Sequence, residues 1–277
     1  MDALILDAPA KLNLRLLVGP RRPDGYHPVR TLMVALEGLS DTVTVARADE
    51  RSVRCPGIDG ADNLAWRALD ALERHAGRAL PVRVSIVKRI PAQAGLGGGS
   101  SDAAATLIAT ATLFGLRATH EDLERVGAEV GSDVPFFVCA GAQWAEGRGE
   151  RLAPAAAPPF AALVAVPRFG CSTAEVYAAF DRLAPPPPDD GADVPGSAVE
   201  LGAWVRNDLW PASLAIRPRL GRIARDLAAT GAVATLLCGS GSGVAAVYTD
   251  RGAAGRAQGR LAGGPWAALE VAHFRGA

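Results

Sequence analysis

Lysine is almost missing from this chain of 277 residues: of its 29 basic residues, only Lys11 and Lys88 are not arginine. Cysteine is sparse as well. Cys55, Cys139, Cys171 and Cys238 form no Cys-x-x-Cys pair and no cysteine–histidine spacing that suggests zinc. Scattered thiols fit a reducing compartment, so a cytoplasmic protein is expected. Net charge is absent, with 29 basic and 29 acidic residues. That balance offers no general basic field, and nucleic acid is not expected as a partner. No apolar run reaches the ~18 residues that suggest a membrane span. Met1-Asp2-Ala3-Leu4 opens no charged-then-apolar leader, so no secretory signal is expected either. What remains is 49% hydrophobic and 21% charged. Such a chain has a good-sized core and fits one large domain or two ordinary ones.

Glycine is concentrated in one place. Pro91-Ala92-Gln93-Ala94-Gly95-Leu96-Gly97-Gly98-Gly99-Ser100-Ser101 leads into an alanine-rich run that reads as a helix from about Ser101 to Phe114. Before it, Val82, Val84 and Ile86 alternate with Arg83 and Ser85 in a strand that ends at Lys88. Glycine lets a backbone turn tightly and approach a ligand. A helix start presents unpaired N–H groups and a positive dipole end. Strand, glycine loop and helix therefore make an anion cradle, and phosphate is the natural anion. The stretch lacks the Gly-Lys-Ser/Thr ending of a Walker loop. It also lacks the context of a dinucleotide fingerprint.

The rest of the chain alternates strands and helices without strict order, which predicts an α+β protein. Residues 3–17 read as a strand whose polar face carries Lys11, Asn13 and Arg15 opposite Leu12, Leu14 and Leu16. Turn chemistry at Pro23-Asp24-Gly25 precedes Tyr26 and His27, an aromatic face beside an imidazole. Further strands are predicted at Thr31–Leu36 and Thr42–Ala46. Asn63 begins a helical run that Gly77 ends. Thr119 and Asp122 have capping-box spacing before a helix to Val130. Asp133 lies among Gly131, Val134, Pro135, Phe136 and Phe137. A carboxylate there either caps the next helix or has chemical work to do. An Ala/Pro stretch at 153–159 marks a domain boundary, and 185–196 reads as a mobile surface loop. Later come a helix over Ile216–Ala229 and a second glycine turn, Cys238-Gly239-Ser240-Gly241-Ser242-Gly243.

Taken in order, these stretches resemble the GHMP kinases. Pro91–Ala105 resembles that family's phosphate-loop motif. Ala8-Pro9-Ala10-Lys11-Leu12-Asn13, Asp24-Gly25-Tyr26-His27, Asp62-Asn63-Leu64, Gly131–Phe137 and Asn207-Asp208-Leu209 resemble the branch acting on a diphosphocytidyl-methylerythritol. Gly239–Gly241 resembles the third family motif, with Cys238 where Ser or Thr is common.

The resemblance implies an N-terminal domain of ribosomal-protein-S5-like type over 1–153 and a ferredoxin-like domain over 154–277. It implies transfer of the γ-phosphoryl of ATP to the 2-hydroxyl of that small molecule. Lys11 and Asp133 would be catalytic, Asp133 as general base and Lys11 as the neighbouring cation. Residues 91–101 would hold the ATP phosphates, with Asn63 and Lys88 on the adenine side; Asn63 also reads as a plain helix cap. Asn13 would bind near the methylerythritol. Cytosine would stack on Tyr26, with His27 at the base edge and Tyr177 closing the sandwich. Mg²⁺ is expected with ATP, and Ser101 is a candidate ligand for it.

Overall fold

The computed structural model describes residues 2–276 except 59, 188 and 190. The chain sorts into two compact units made of interleaved segments: Met1–Ala10, Ser40–Ile90 and Gly97–Ala140 in the first, and Lys11–Leu39, Pro91–Leu96 and Gly141–Ala277 in the second. Two long strands, β1 (Ala3–Val18) and β2 (Val29–Arg47), contribute to both.

In the first unit, Thr42–Arg47 of β2 pairs antiparallel with β4 (Val82–Val87), and β3 (Ser52–Arg54) pairs parallel with β4. Alternation places Val43, Val45, Val82, Val84 and Ile86 on one buried face. That face packs against Ala65 and Leu69 of α1 (Leu64–Ala76) and Ala105, Ala109 and Leu113 of α2 (Gly98–Leu113). Helix α1 begins where Asn63 Oδ1 accepts from the N–H of Ala65, and stops at Gly77 with φ +64°. The capping box of Thr119 and Asp122 starts α3 (His120–Val130), and α4 (Val134–Cys139) follows with Pro135 in its first turn.

In the second unit, Val29–Val34 of β2 pairs with β5 (Ala142–Gly147), which forms a hairpin with β6 (Arg151–Pro154). Strand β7 (Phe160–Pro167) is buried at every position. After it come α5 (Thr173–Phe180), α6 (Leu201–Trp204), β8 (Arg206–Asn207), α7 (Trp210–Ile216) and α8 (Arg219–Ala228). The chain closes with β9 (Ala234–Leu237), β10 (Val244–Tyr248), α9 (Arg251–Leu261) and β11 (Trp266–Phe274). The antiparallel order is β11-β7-β10-β9, with α8 before β9 and α9 before β11. This is the ferredoxin-like arrangement. Leu220, Ile223 and Leu227 recur at helical spacing on α8 and pack with Leu163, Val244 and Ala246. Among the described residues no helix is long and apolar enough to cross a membrane.

Several elements depart from the sequence expectation. The two strands expected at 31–36 and 42–46 are one strand. Gly38 takes φ +88° within that strand, and β11 pairs with β2 through His273 opposite Glu37. Helix α2 starts at Gly98 rather than Ser101: Gly97 at φ +74° turns the chain, and the helix includes two glycines that propensity alone would leave out. The helix expected over 216–229 starts at Arg219, after Pro218. Strand β6 and helix α7 carry no clear periodic signal. In the stretch expected as a mobile loop, Pro188 and Asp190 lie outside the described residues. Asp189 is ion-paired with Arg15 at 2.9 Å and Arg30 at 2.8 Å.

Candidate active site

In the second unit the two glycine turns lie backbone against backbone. Gly95 has φ +74°, and a Cβ placed there would stand 1.7 Å from the Cys238 carbonyl oxygen. The N–H groups of Ser242 and Gly243 donate to the carbonyls of Gln93 (3.2 Å) and Ala94 (3.1 Å). Strand β1 joins them, since Lys11 N–H donates to the Leu96 carbonyl at 2.9 Å. Lys11 is buried; its Nζ donates to Asn13 Oδ1 at 2.6 Å, and Asn13 Nδ2 donates to Thr31 Oγ1 at 2.9 Å. The polar face expected on this strand thus exists as a buried, hydrogen-bonded row. Asn207 fastens the second turn: its Nδ2 donates to the carbonyls of Leu237 (3.0 Å) and Gly239 (2.7 Å). Cys238 acts through its backbone. Burial pushes its thiol up to about 12, against the opposing effect of Lys11.

The first unit holds the helix end. No side chain caps α2 at Gly97, so its first N–H groups are left for another partner. Ser101 Oγ and Asp102 Oδ1 are buried without a hydrogen-bond partner. Lys88 Nζ donates to Asp102 Oδ2 at 2.6 Å and also to Asp41 Oδ2. Burial pushes the Asp102 carboxyl up to about 7, with Lys88 opposing and Asp41 adding to the rise. Asn63 accepts from Ala65 N–H at 2.9 Å and donates to the Ile58 carbonyl at 2.8 Å, so the capping role is realised. Asp133 occupies the N-cap position of α4 but makes no capping hydrogen bond. The simpler of its two sequence readings is therefore not realised. Lys11 belongs to the second unit and Asp133 to the first.

The aromatic group lies in the second unit. Tyr26 is exposed, with the Arg148 guanidinium 4.0 Å from its ring centroid. His27 is buried. Its Nδ1 donates to the Gly19 carbonyl at 2.8 Å, and its Nε2 stands 3.0 Å from Asp181 Oδ1. Tyr177 lies near it, with ring centroids 5.2 Å apart. Both ring nitrogens of His27 thus face protein groups, which fixes the imidazole plane beside Tyr177. A hollow of about 620 Å³ opens next to His27, Phe180 and Asp181, and neither Tyr26 nor Tyr177 lines it.

The model of the family described as GHMP kinases N terminal domain matches residues 63–141. A 4-diphosphocytidyl-2-C-methyl-D-erythritol kinase of Anaeromyxobacter sp. (strain Fw109-5) is 44% identical over 264 residues, covering 90% of this chain and 84% of that one. One from Rhodococcus jostii (strain RHA1) is 40% identical over 94% of this chain and 88% of its own. The chain belongs to the 4-diphosphocytidyl-2-C-methyl-D-erythritol kinase family. A crystal structure of a 4-(cytidine 5'-diphospho)-2C-methyl-D-erythritol kinase matches it with TM-score 0.80 and 33% identity, over 97% of this chain and 99% of that one. A homoserine kinase from Cytophaga hutchinsonii shares the fold alone, at TM-score 0.71 and 15% identity, covering 100% of this chain and 97% of its own. The protein has the α+β GHMP kinase fold and is a kinase that takes its phosphoryl group from ATP.

Sequence reasoning passed over three residues that organise these groups: Asn207, Asp41 and Asp181. Asn207 stood in a recognised motif but without a role. Asp41 and Asp181 are single acids in ordinary contexts, and no local signal marks them.

Proposed function

We propose that this protein transfers the γ-phosphoryl group of ATP to the 2-hydroxyl of 4-diphosphocytidyl-2-C-methyl-D-erythritol, a step of non-mevalonate isoprenoid precursor biosynthesis. The observation that carries the reading is the pair of interlocked glycine turns beside a buried lysine, in a chain of this family. Residues 91–101 hold the ATP phosphates. The uncapped end of α2 and the partnerless Ser101 Oγ fit a phosphate group. Asn63 and Lys88 lie on the adenine side. Mg²⁺ accompanying ATP would supply charge neutralisation at the phosphates, and the buried, partnerless Ser101 Oγ is the side-chain atom that would hold it.

In the transfer, the bond from the γ-phosphorus to the bridging oxygen breaks, and ADP leaves. A bond to the substrate 2-oxygen forms, and the hydroxyl proton passes to the Asp133 carboxylate. Lys11 offsets charge on the moving phosphoryl group. Its hydrogen bond to Asn13 aims the ammonium, and Asn13 meets the methylerythritol portion. Cytosine stacks on Tyr26, with Tyr177 closing the sandwich; His27, whose ring nitrogens are held by Gly19 and Asp181 rather than left for the base edge, sets the position of Tyr177. We assign the 1–153 segment to the phosphate loop and the catalytic pair, and 154–277 to the C-terminal domain. Four free thiols support a reducing, cytoplasmic setting.

A substrate-panel assay tests the reading. Phosphorylation of the cytidyl compound, with no transfer to mevalonate or homoserine, is the expected result. Transfer to mevalonate without transfer to the cytidyl compound overturns it.

A further inference from the structure

We propose that Asp41 and Lys88 are positioning residues that staple the entrance and exit of the 91–101 loop, presetting the start of α2 for the ATP phosphates. The inference rests on the assignment of that loop to ATP.

The staple is one connected group within the first unit. Asp41, in the middle of β2, is fully buried. Its Oδ1 accepts from the backbone N–H groups of Arg89 (2.6 Å) and Ile90 (2.8 Å), the last residues before the loop. Its Oδ2 accepts from Lys88 Nζ, which also reaches Asp102 Oδ2 at 2.6 Å. Asp102 is the fifth residue of α2, just past the loop. Carboxylate and ammonium thus tie 88–90 to 102. Packing follows the same line: a Cβ on Gly98 would stand 3.0 Å from Ile90 Cγ2 and 3.3 Å from Asp41 Oδ2.

The loop needs such a device. Gln93, Ala94 and Leu96 are held through their carbonyls by the second glycine turn and β1, but the three consecutive glycines 97–99 that follow bring wide conformational freedom, and φ is positive at Gln93, Gly95 and Gly97. The N-cap is a glycine without a side chain, so α2 cannot be started by an ordinary cap. Binding phosphates with a disordered loop would cost affinity through the entropy of ordering it. A buried, charge-assisted tie between its ends removes part of that cost in advance. Lysine suits the position, because one compact ammonium can serve two carboxylates at once. The sequence keeps one of its two lysines there.

Asp102→Ala cuts only the exit arm and leaves the Lys88–Asp41 pair. Asp102→Asn keeps an oxygen acceptor for Lys88. Hydrogen–deuterium exchange of residues 91–101 in the ATP-free protein reads the staple itself. Steady-state kinetics read its effect on ATP. We expect faster exchange in 91–101 but not in 104–113 for Asp102→Ala. Its KM for ATP should rise about tenfold, with KM for the cytidyl substrate little changed. Asp102→Asn should recover most of both effects, which a merely structural role would not predict. Unchanged loop exchange in Asp102→Ala overturns the staple. Loosened exchange with an unchanged KM for ATP keeps the tie but overturns its role toward ATP. If Asp102→Ala does not fold, Lys88→Arg, which keeps the charge but cannot seat one compact ammonium between both acids, must loosen 91–101 for the proposal to stand.

Discussion

Gly95 and Cys238 meet backbone to backbone, so closely that a methyl group on Gly95 would stand 1.7 Å from the Cys238 carbonyl oxygen. The residues are far apart in the chain, and each stands in its own glycine turn. Their contact sets the two turns backbone against backbone, and it depends on the absence of a side chain at Gly95.

Gly95→Ala should therefore fail in two ways. A left-handed backbone costs a non-glycine residue roughly 1–2 kcal/mol, and the added carbon also displaces a carbonyl that has nowhere to yield. Thermal unfolding should show a lower Tm. Activity should fall by far more than the drop in folded fraction, because the 91–101 loop moves.

Asn207 holds two carbonyls of the second turn, and its Oδ1 accepts from Leu209 N–H at 2.9 Å. Asn207→Ala leaves these groups unpaired, at about 1–3 kcal/mol for a buried polar group. Asn207→Asp should be worse, because it sets a carboxylate oxygen against two carbonyl oxygens. Chemical denaturation of the two variants gives the ranking; Asp above Ala in stability would contradict it.

Cys238 contributes its carbonyl and N–H, and burial pushes its thiol up to about 12. The thiol should stay protonated and unreactive toward an aromatic disulfide reagent at pH 8 until the protein unfolds. Cys238→Ser should keep activity within a few-fold of the parent, measured at saturating ATP.

Asp133→Asn keeps the shape of the side chain and removes its basicity. Loss of a general base costs roughly 10²–10⁴ in rate. We expect kcat to fall by that order while calorimetry shows the cytidyl substrate still bound. Turnover near the parent rate would remove Asp133 from the role of base.

Asp102 predicts a pH dependence. Its carboxyl is raised from 3.8 to about 7, chiefly by burial. The folded state therefore holds its proton more tightly than the unfolded chain does. The stabilisation from that proton is complete below the unfolded value. It is lost as pH rises through about 7. Asp102→Asn cannot ionise, so its Tm relative to the parent should rise between pH 5 and pH 8. A constant difference across that window would show that Asp102 does not titrate there.

The sequence by itself determined the local features. Asn63, Thr119 and Asp122 cap helices as their spacing predicts, because a cap needs only the next two or three residues. Alternation along 82–87 marked a strand and its buried face for the same reason. The ordered motifs announced the family, which the matching family model and relatives show. Only the tertiary structure decided what the glycine loop rests on. Asp41 finds Lys88 across 47 positions, and Asn207 finds the Leu237 carbonyl across 30. Such bonds depend on strand register and on which turns share a surface, neither of which is written in any one stretch of chain. The same holds for β2: the two strands expected at 31–36 and 42–46 are continuous through Gly38, where the backbone of Val271 and Ala272 of β11 lies alongside. The physical reason is distance in sequence: local propensity acts within a turn or two, whereas a buried polar group takes whatever partner the fold brings to it.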